Sequence, residues 1–144
     1  GAQPIHHANK VKETMNTLSL YTALLALLFF VLSVRTLRLR GRLKIGLGDA
    51  GNEEMLRAMR VHSNFAEYVP LSLITLYLAV SQGAPAWFIH ALCLCLLLGR
   101  VSHAYGVSQL RENLSFRVAG MAMTFATLLS ASAYLLYSYT RTLV

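Results

Sequence analysis

Charge is scarce in this chain. Only 13% of its 144 residues are charged, while 56% are hydrophobic. Soluble domains carry about 25% charged residues, so an ordinary water-facing surface is excluded. Acid is scarcer still, with 6 acidic against 13 basic residues and a net charge of +7. In a polar chain such an excess would point to nucleic acid. Here the basic residues alternate with long apolar runs. That points to positive loops on one side of a membrane and excludes nucleic acid as the expected partner. Cysteine is nearly absent. Cys93 and Cys95 stand two apart inside an apolar run, where a helix turns them to different sides. That spacing argues against a disulfide between them, and without further ligands there is no metal site. Both are read as packing thiols. Internal repeats and low-complexity linkers are also missing, and the length suffices for one domain only.

Apolar runs fill the space that charge leaves. A membrane helix needs about 20 mainly apolar residues. The run from Leu18 to Val34 holds no charge and ends in the basic cluster Arg35, Arg38, Arg40, Arg42 and Lys44. Gly46, Gly48 and Gly51 then break helical order, and Asp49, Glu53 and Glu54 gather where the next helix begins. That helix ends in ordinary membrane sequence, YVPLSLITLYLAV, in which Pro70 is expected to bend the helix without ending it. A third run opens at Trp87, a suitable interfacial anchor, and a fourth spans Val118 to Tyr139 with many small residues. The expected fold is an all-α integral membrane protein, a bundle of four transmembrane helices over about 17–40, 53–82, 86–107 and 115–140. Residues 1–14 are expected to be a polar N-terminal tail, native or appended ahead of a start at Met15, with 15–144 as one membrane domain. No small-residue cleavage site follows the first apolar run, so a signal peptide is not expected.

Four spans place both termini on one side. The first and third loops and their flanks carry Arg35, Arg38, Arg40, Arg42, Lys44, Arg111 and Arg117, and the turn between the second and third helices carries no charge. The positive-inside rule therefore puts those two loops in the cytoplasm and the termini outside.

The second helix is the anomaly. At 100° per residue, Arg57, Arg60, Asn64 and Glu67 fall within an arc of about 80°, with Tyr68 beside it and His62 well off it. Each such group costs about 2.5–3.5 kcal/mol at the membrane centre, so the face must meet protein or water. Arg57 and Arg60 can snorkel toward the interface, whereas Asn64 and Glu67 lie deeper and can bond each other. On the third helix Arg100 and His103 share a face at i, i+3. A purely structural reading has Arg60 or Arg100 neutralise Glu67. A functional reading has a polar pocket for an anionic or zwitterionic ligand, favoured because basic groups outnumber the one carboxylate. Arg117 stands where such a pocket would need a further cation, and Arg111 reads as a positive-inside anchor.

The run RVHSNFAEYVP, Arg60 to Pro70, with its pattern Arg-x-x-x-Asn-x-x-Glu-Tyr-x-Pro, resembles the signature of the MAPEG family, membrane-associated proteins in eicosanoid and glutathione metabolism. The resemblance runs from about Leu18 onward and takes in the basic end of helix one and the GR-x-x-H segment at Gly99 to His103. It is nearest to the bacterial inner-membrane branch. The resemblance implies a homotrimer in the bacterial inner membrane, with cytoplasmic first and third loops and periplasmic termini. It implies glutathione as the bound cofactor, held between subunits by Arg60, Asn64, Glu67 and Tyr68. Arg57 matches a further arginine, Arg38 one lent by the adjacent subunit, and His103 a histidine or tyrosine position; Arg100 joins this binding set. An arginine early in helix four, here matched to Arg117, would hold the thiolate ionised, with Arg111 and Ser115 as alternatives because the preceding loop differs in length. The implied activity is a glutathione S-transferase or peroxidase acting on lipophilic small molecules delivered from membrane lipid. One turn after His103 the family's synthases carry a tyrosine, but this chain has Val107, and Tyr105 points about 160° away. The alternative is a non-catalytic protein of the same fold whose stripe is structural, or which binds another anionic ligand.

Overall fold

A computed structural model of the chain describes residues 3–111 and 113–143. These residues form four helices, α1 (Gln3–Leu43), α2 (Glu53–Ser81), α3 (Ala86–Ser108) and α4 (Leu114–Thr142), with no strand among them. The bounds agree closely with the sequence pattern except at the start. The backbone of α1 is helical from Gln3 and so takes in most of the stretch expected to be a tail, while residues 1 and 2 lie outside the described residues. Thr14 is buried, and Val11 and Met15 pack against the core.

Local chemistry accounts for the helix ends. Asn52 accepts a hydrogen bond from the Met55 amide at 2.9 Å, and Glu53 and Glu54 occupy the first turn of α2, where the helix dipole favours acid. Asn113 caps α4 in the same way through the Phe116 amide. Pro70 lies inside α2 without ending it. Two residues on, the Ser72 hydroxyl donates to the Tyr68 carbonyl at 2.8 Å within the same helix.

Helices α1, α3 and α4 are long and apolar enough to cross a membrane. At 29 residues, α2 also has the length, since it rises about 43 Å against a hydrocarbon core of about 30 Å, but its polar stripe dilutes its hydropathy. The four helices form a membrane bundle. α1 packs on α2 and α3, α4 packs on α3 and α2, and among the described residues α1 and α4 do not pack on each other. The core runs down the middle, with Leu25 of α1, Phe65 and Leu76 of α2, and Ile89 and Leu96 of α3. The outer surface is strongly apolar, as lipid requires: Leu27, Phe30, Leu129 and Leu136 are all exposed, and Trp87 at the start of α3 is 72% exposed.

The tightest packing is between α3 and α4, where glycine is obligatory. A Cβ built on Gly120 would lie 2.5 Å from the Gly99 carbonyl oxygen and 2.6 Å from the His103 amide nitrogen. A Cβ on Gly106 would lie 2.7 Å from the Arg117 amide nitrogen. Small residues substitute here for the hydrophobic drive that lipid does not supply. Gly120→Ala is therefore expected to destabilise the protein by about 1–3 kcal/mol, the usual cost of overpacking. Gly41→Ala, where nothing lies within 4 Å, is expected to be neutral or slightly stabilising. Thermal unfolding of both variants in one detergent checks the contrast.

Candidate functional site

The site is organised around Arg100. Its side chain is only 1% exposed and reaches from α3 into the bundle. Nη2 donates to Asn64 Oδ1 of α2 at 2.6 Å and faces His103 Nδ1 at 3.0 Å. Nη1 donates to Thr124 Oγ1 of α4 at 3.3 Å, with Met121 Sδ at 3.9 Å. The guanidinium also stands 5.9 Å from the Phe65 ring centroid, within cation–π range. No carboxylate pairs with it among the described residues. Burying such an ion costs several kcal/mol, so the neutral acceptors from three helices must compensate. Of its nitrogens, Nε has no partner among the described residues.

In front of Asn64 and His103 opens a cleft of about 250 Å³, lined by Glu53, Leu56, Arg57, Arg60, Asn64, His103, Val107 and Arg117. Five of the expected site residues therefore meet there. Arg57 is half-buried and partly engaged: Nη2 donates to Glu53 Oε1 at 3.1 Å and Nη1 to the Val107 carbonyl at 3.4 Å, while its buried Nε has no partner. Arg35 of α1 donates to Ser108 Oγ. Two guanidiniums thus hold the C-terminal end of α3, where cations suit the helix dipole. Arg60 and Arg117 are exposed at the rim. Sequence reasoning assigned Glu53 only to the helix start, yet among the described residues it is the carboxylate in the lining. Its signal was present, because Glu53 and Arg57 stand at i, i+4.

The remaining expected residues lie elsewhere on the chain. Arg38 lines a second cleft, about 510 Å³, with Phe30, Val34, Arg35, Arg42 and Glu54. Glu67 is exposed on the surface of the bundle and ion-pairs with neither Arg60 nor Arg100 among the described residues. No Asn64–Glu67 bond forms within the described residues; Asn64 instead turns its amide oxygen to accept from the buried Arg100. Tyr68 packs edge-on against Phe125 at 5.5 Å and does not line the cleft. Arg111 and Ser115 are exposed and outside the lining, whereas Arg117 is within it. Val107 supplies an apolar wall, and Tyr105 points away to stack on Phe116 at 5.2 Å. Cys93 is buried, and Cys95 donates to the Met123 carbonyl at 3.5 Å. His62 stacks on Phe29 and bonds Ser33, and the exposed His90 bonds Tyr21.

Residues 18–137 match the MAPEG family. The chain is also 34% identical over 111 residues to inner membrane protein YecN of Escherichia coli K12, an alignment covering 77% of this chain and 83% of YecN. The protein of the same name from Escherichia coli O6:H1 strain CFT073 gives the same identity and coverage.

The Arg100 contacts carry a stability prediction. Asn64→Leu removes an acceptor from a buried guanidinium and is expected to cost about 1.5–3 kcal/mol. Asn64→Asp keeps the acceptor and adds a countercharge, so its stability should equal or exceed that of the unaltered protein. Equilibrium unfolding in mild detergent reads the difference.

Proposed function

This chain belongs to the MAPEG family, and on that premise we propose that it binds glutathione and acts as a glutathione S-transferase or peroxidase on lipophilic electrophiles. The observation that carries the reading is the meeting of Arg57, Arg60, Arg117, Asn64 and His103 in one cleft. Glutathione has two carboxylates, an ammonium and a thiol. Guanidiniums bind carboxylates in bidentate fashion, and a glutamate matches the ammonium. Arg117 at the rim is the thiolate partner, since a nearby guanidinium favours the ionised sulfur. The thiol gives its proton to water at the cleft mouth. The sulfur then bonds the electrophilic carbon, and the leaving group departs with its electron pair.

The proposed active unit is a homotrimer. Glu67 supports this, because a carboxylate on the outer face of a membrane helix must be covered by protein or water. The second basic cleft around Arg38 lies apart from the first within a protomer, so a neighbouring copy can bring Arg38 to Glu67 and close the pocket. The proposed location is the bacterial inner membrane, as YecN is named, with the first and third loops cytoplasmic and the termini periplasmic. A second reading, a MAPEG-fold protein without catalysis or with another anionic ligand, is favoured by one feature. Val107 lines the cleft one turn after His103 and offers no hydroxyl to the sulfur.

Glutathione at several millimolar is expected to raise the melting temperature of the detergent-solubilised protein by several degrees. Arg60→Ala should abolish the shift without lowering the ligand-free melting temperature, because Arg60 is exposed. Absence of any shift in the unaltered protein contradicts the glutathione reading. A shift without turnover of a model electrophile such as a chlorodinitrobenzene selects the non-catalytic one.

A further inference from the structure

The contacts of Arg100 fix more than stability. We infer that Arg100 is a positioning residue that turns Asn64 into a hydrogen-bond donor toward an anion in the cleft and holds His103 as the neutral tautomer protonated on Nε2. A guanidinium is always protonated and has five N–H donors and no acceptor. The Asn64 atom 2.6 Å from Nη2 must therefore be the amide oxygen. Turning the amide over would set N–H against N–H at that distance. With Oδ1 committed to Arg100, the Asn64 NH2 group is the part left to meet a ligand, and Asn64 lines the cleft.

The same logic applies to His103. Its Nδ1 lies 3.0 Å from Nη2. Only an unprotonated Nδ1 accepts from that donor, so the ring proton resides on Nε2. Thr124 is oriented in turn. Its hydroxyl donates to the Gly120 carbonyl at 2.8 Å and so accepts from Nη1. One cation thereby sets the polarity of a neighbour on each of α2, α3 and α4.

A specificity follows. Beside Asn64 the cleft takes an acceptor, a carboxylate or a thiolate, and rejects an ammonium. This assignment rests on the reading of the cleft as a glutathione site. In that reading an anionic group of the peptide lies against Asn64, and its ammonium is left for Glu53 or Glu67.

Two measurements on the full chain test the inference. The first is the 15N spectrum of histidine-labelled protein in lipid nanodiscs at neutral pH, with the His103 signals assigned by their loss in H103Q. Nδ1 is expected unprotonated and Nε2 protonated. Arg100→Met should release the second tautomer, and Arg100→Lys should restore the first in part. A wild-type His103 protonated on Nδ1, or a spectrum unchanged in Arg100→Met, overturns the inference. If Arg100→Met does not fold, the wild-type spectrum decides alone. The second is glutathione titration of Asn64→Asp. A folded protein of unimpaired stability should bind roughly tenfold or more weakly, because a donor has become an anion. Wild-type affinity in Asn64→Asp overturns the donor assignment. A wild-type protein that does not bind glutathione defeats the glutathione reading, and the His103 spectrum still decides the role of Arg100.

Discussion

A guanidinium withdrawn from water inside a helix bundle must be met by acceptors from every helix it touches, and among the described residues Arg100 meets that demand without a carboxylate. Asn64 comes from α2, His103 from α3 itself and Thr124 from α4. A carboxylate partner would have satisfied the charge within one protomer and left the adjacent cleft without a bias. Neutral acceptors leave the positive potential in place. It adds to that of Arg60, which lines the cleft beside the Arg57–Glu53 pair and Arg117.

Much of the bundle serves to hold that arrangement. Gly99 and Gly120 let α3 and α4 approach until backbone meets backbone, which brings Thr124 within reach of Arg100. Arg35 and Arg57 tie the end of α3 to α1 and α2 at Ser108 and the Val107 carbonyl. The price of this economy is an apolar exterior interrupted by Glu67, a charge that one protomer leaves exposed. In the proposed homotrimer a neighbouring copy covers that residue.

The period of the sequence made the polar face of α2 legible, since Arg57, Arg60 and Asn64 do share one cleft. It also made Arg100 and His103 neighbours at i, i+3, and the structure joins them at 3.0 Å. What periodicity does not carry is the partner across helices. The Asn64–Arg100 bond spans 36 residues, and the Arg35–Ser108 bond spans 73. Nothing local predicts either one. Helical angle placed Glu67 with Asn64, but it says nothing of depth or of what faces a turn, and Glu67 lies outside the protomer's cleft. Glu53 shows the opposite failure. Its role at the helix start was visible in the sequence, and that sufficient explanation concealed its place in the cleft. The start of α1 was obscured by polar composition, although Thr14 is buried and Val11 and Met15 pack against the core.

The central claim is that a cleft polarised by Arg100 receives the anionic groups of glutathione. A structure of the full chain in lipid with glutathione tests it most directly. The account predicts the peptide in the cleft, with carboxylates on Arg57 and Arg60, an anionic group beside Asn64 and the sulfur near Arg117. Arg38 of an adjacent copy and Glu67 should close the pocket. Glutathione bound elsewhere with this cleft vacant, or an ammonium seated against Asn64, would contradict it.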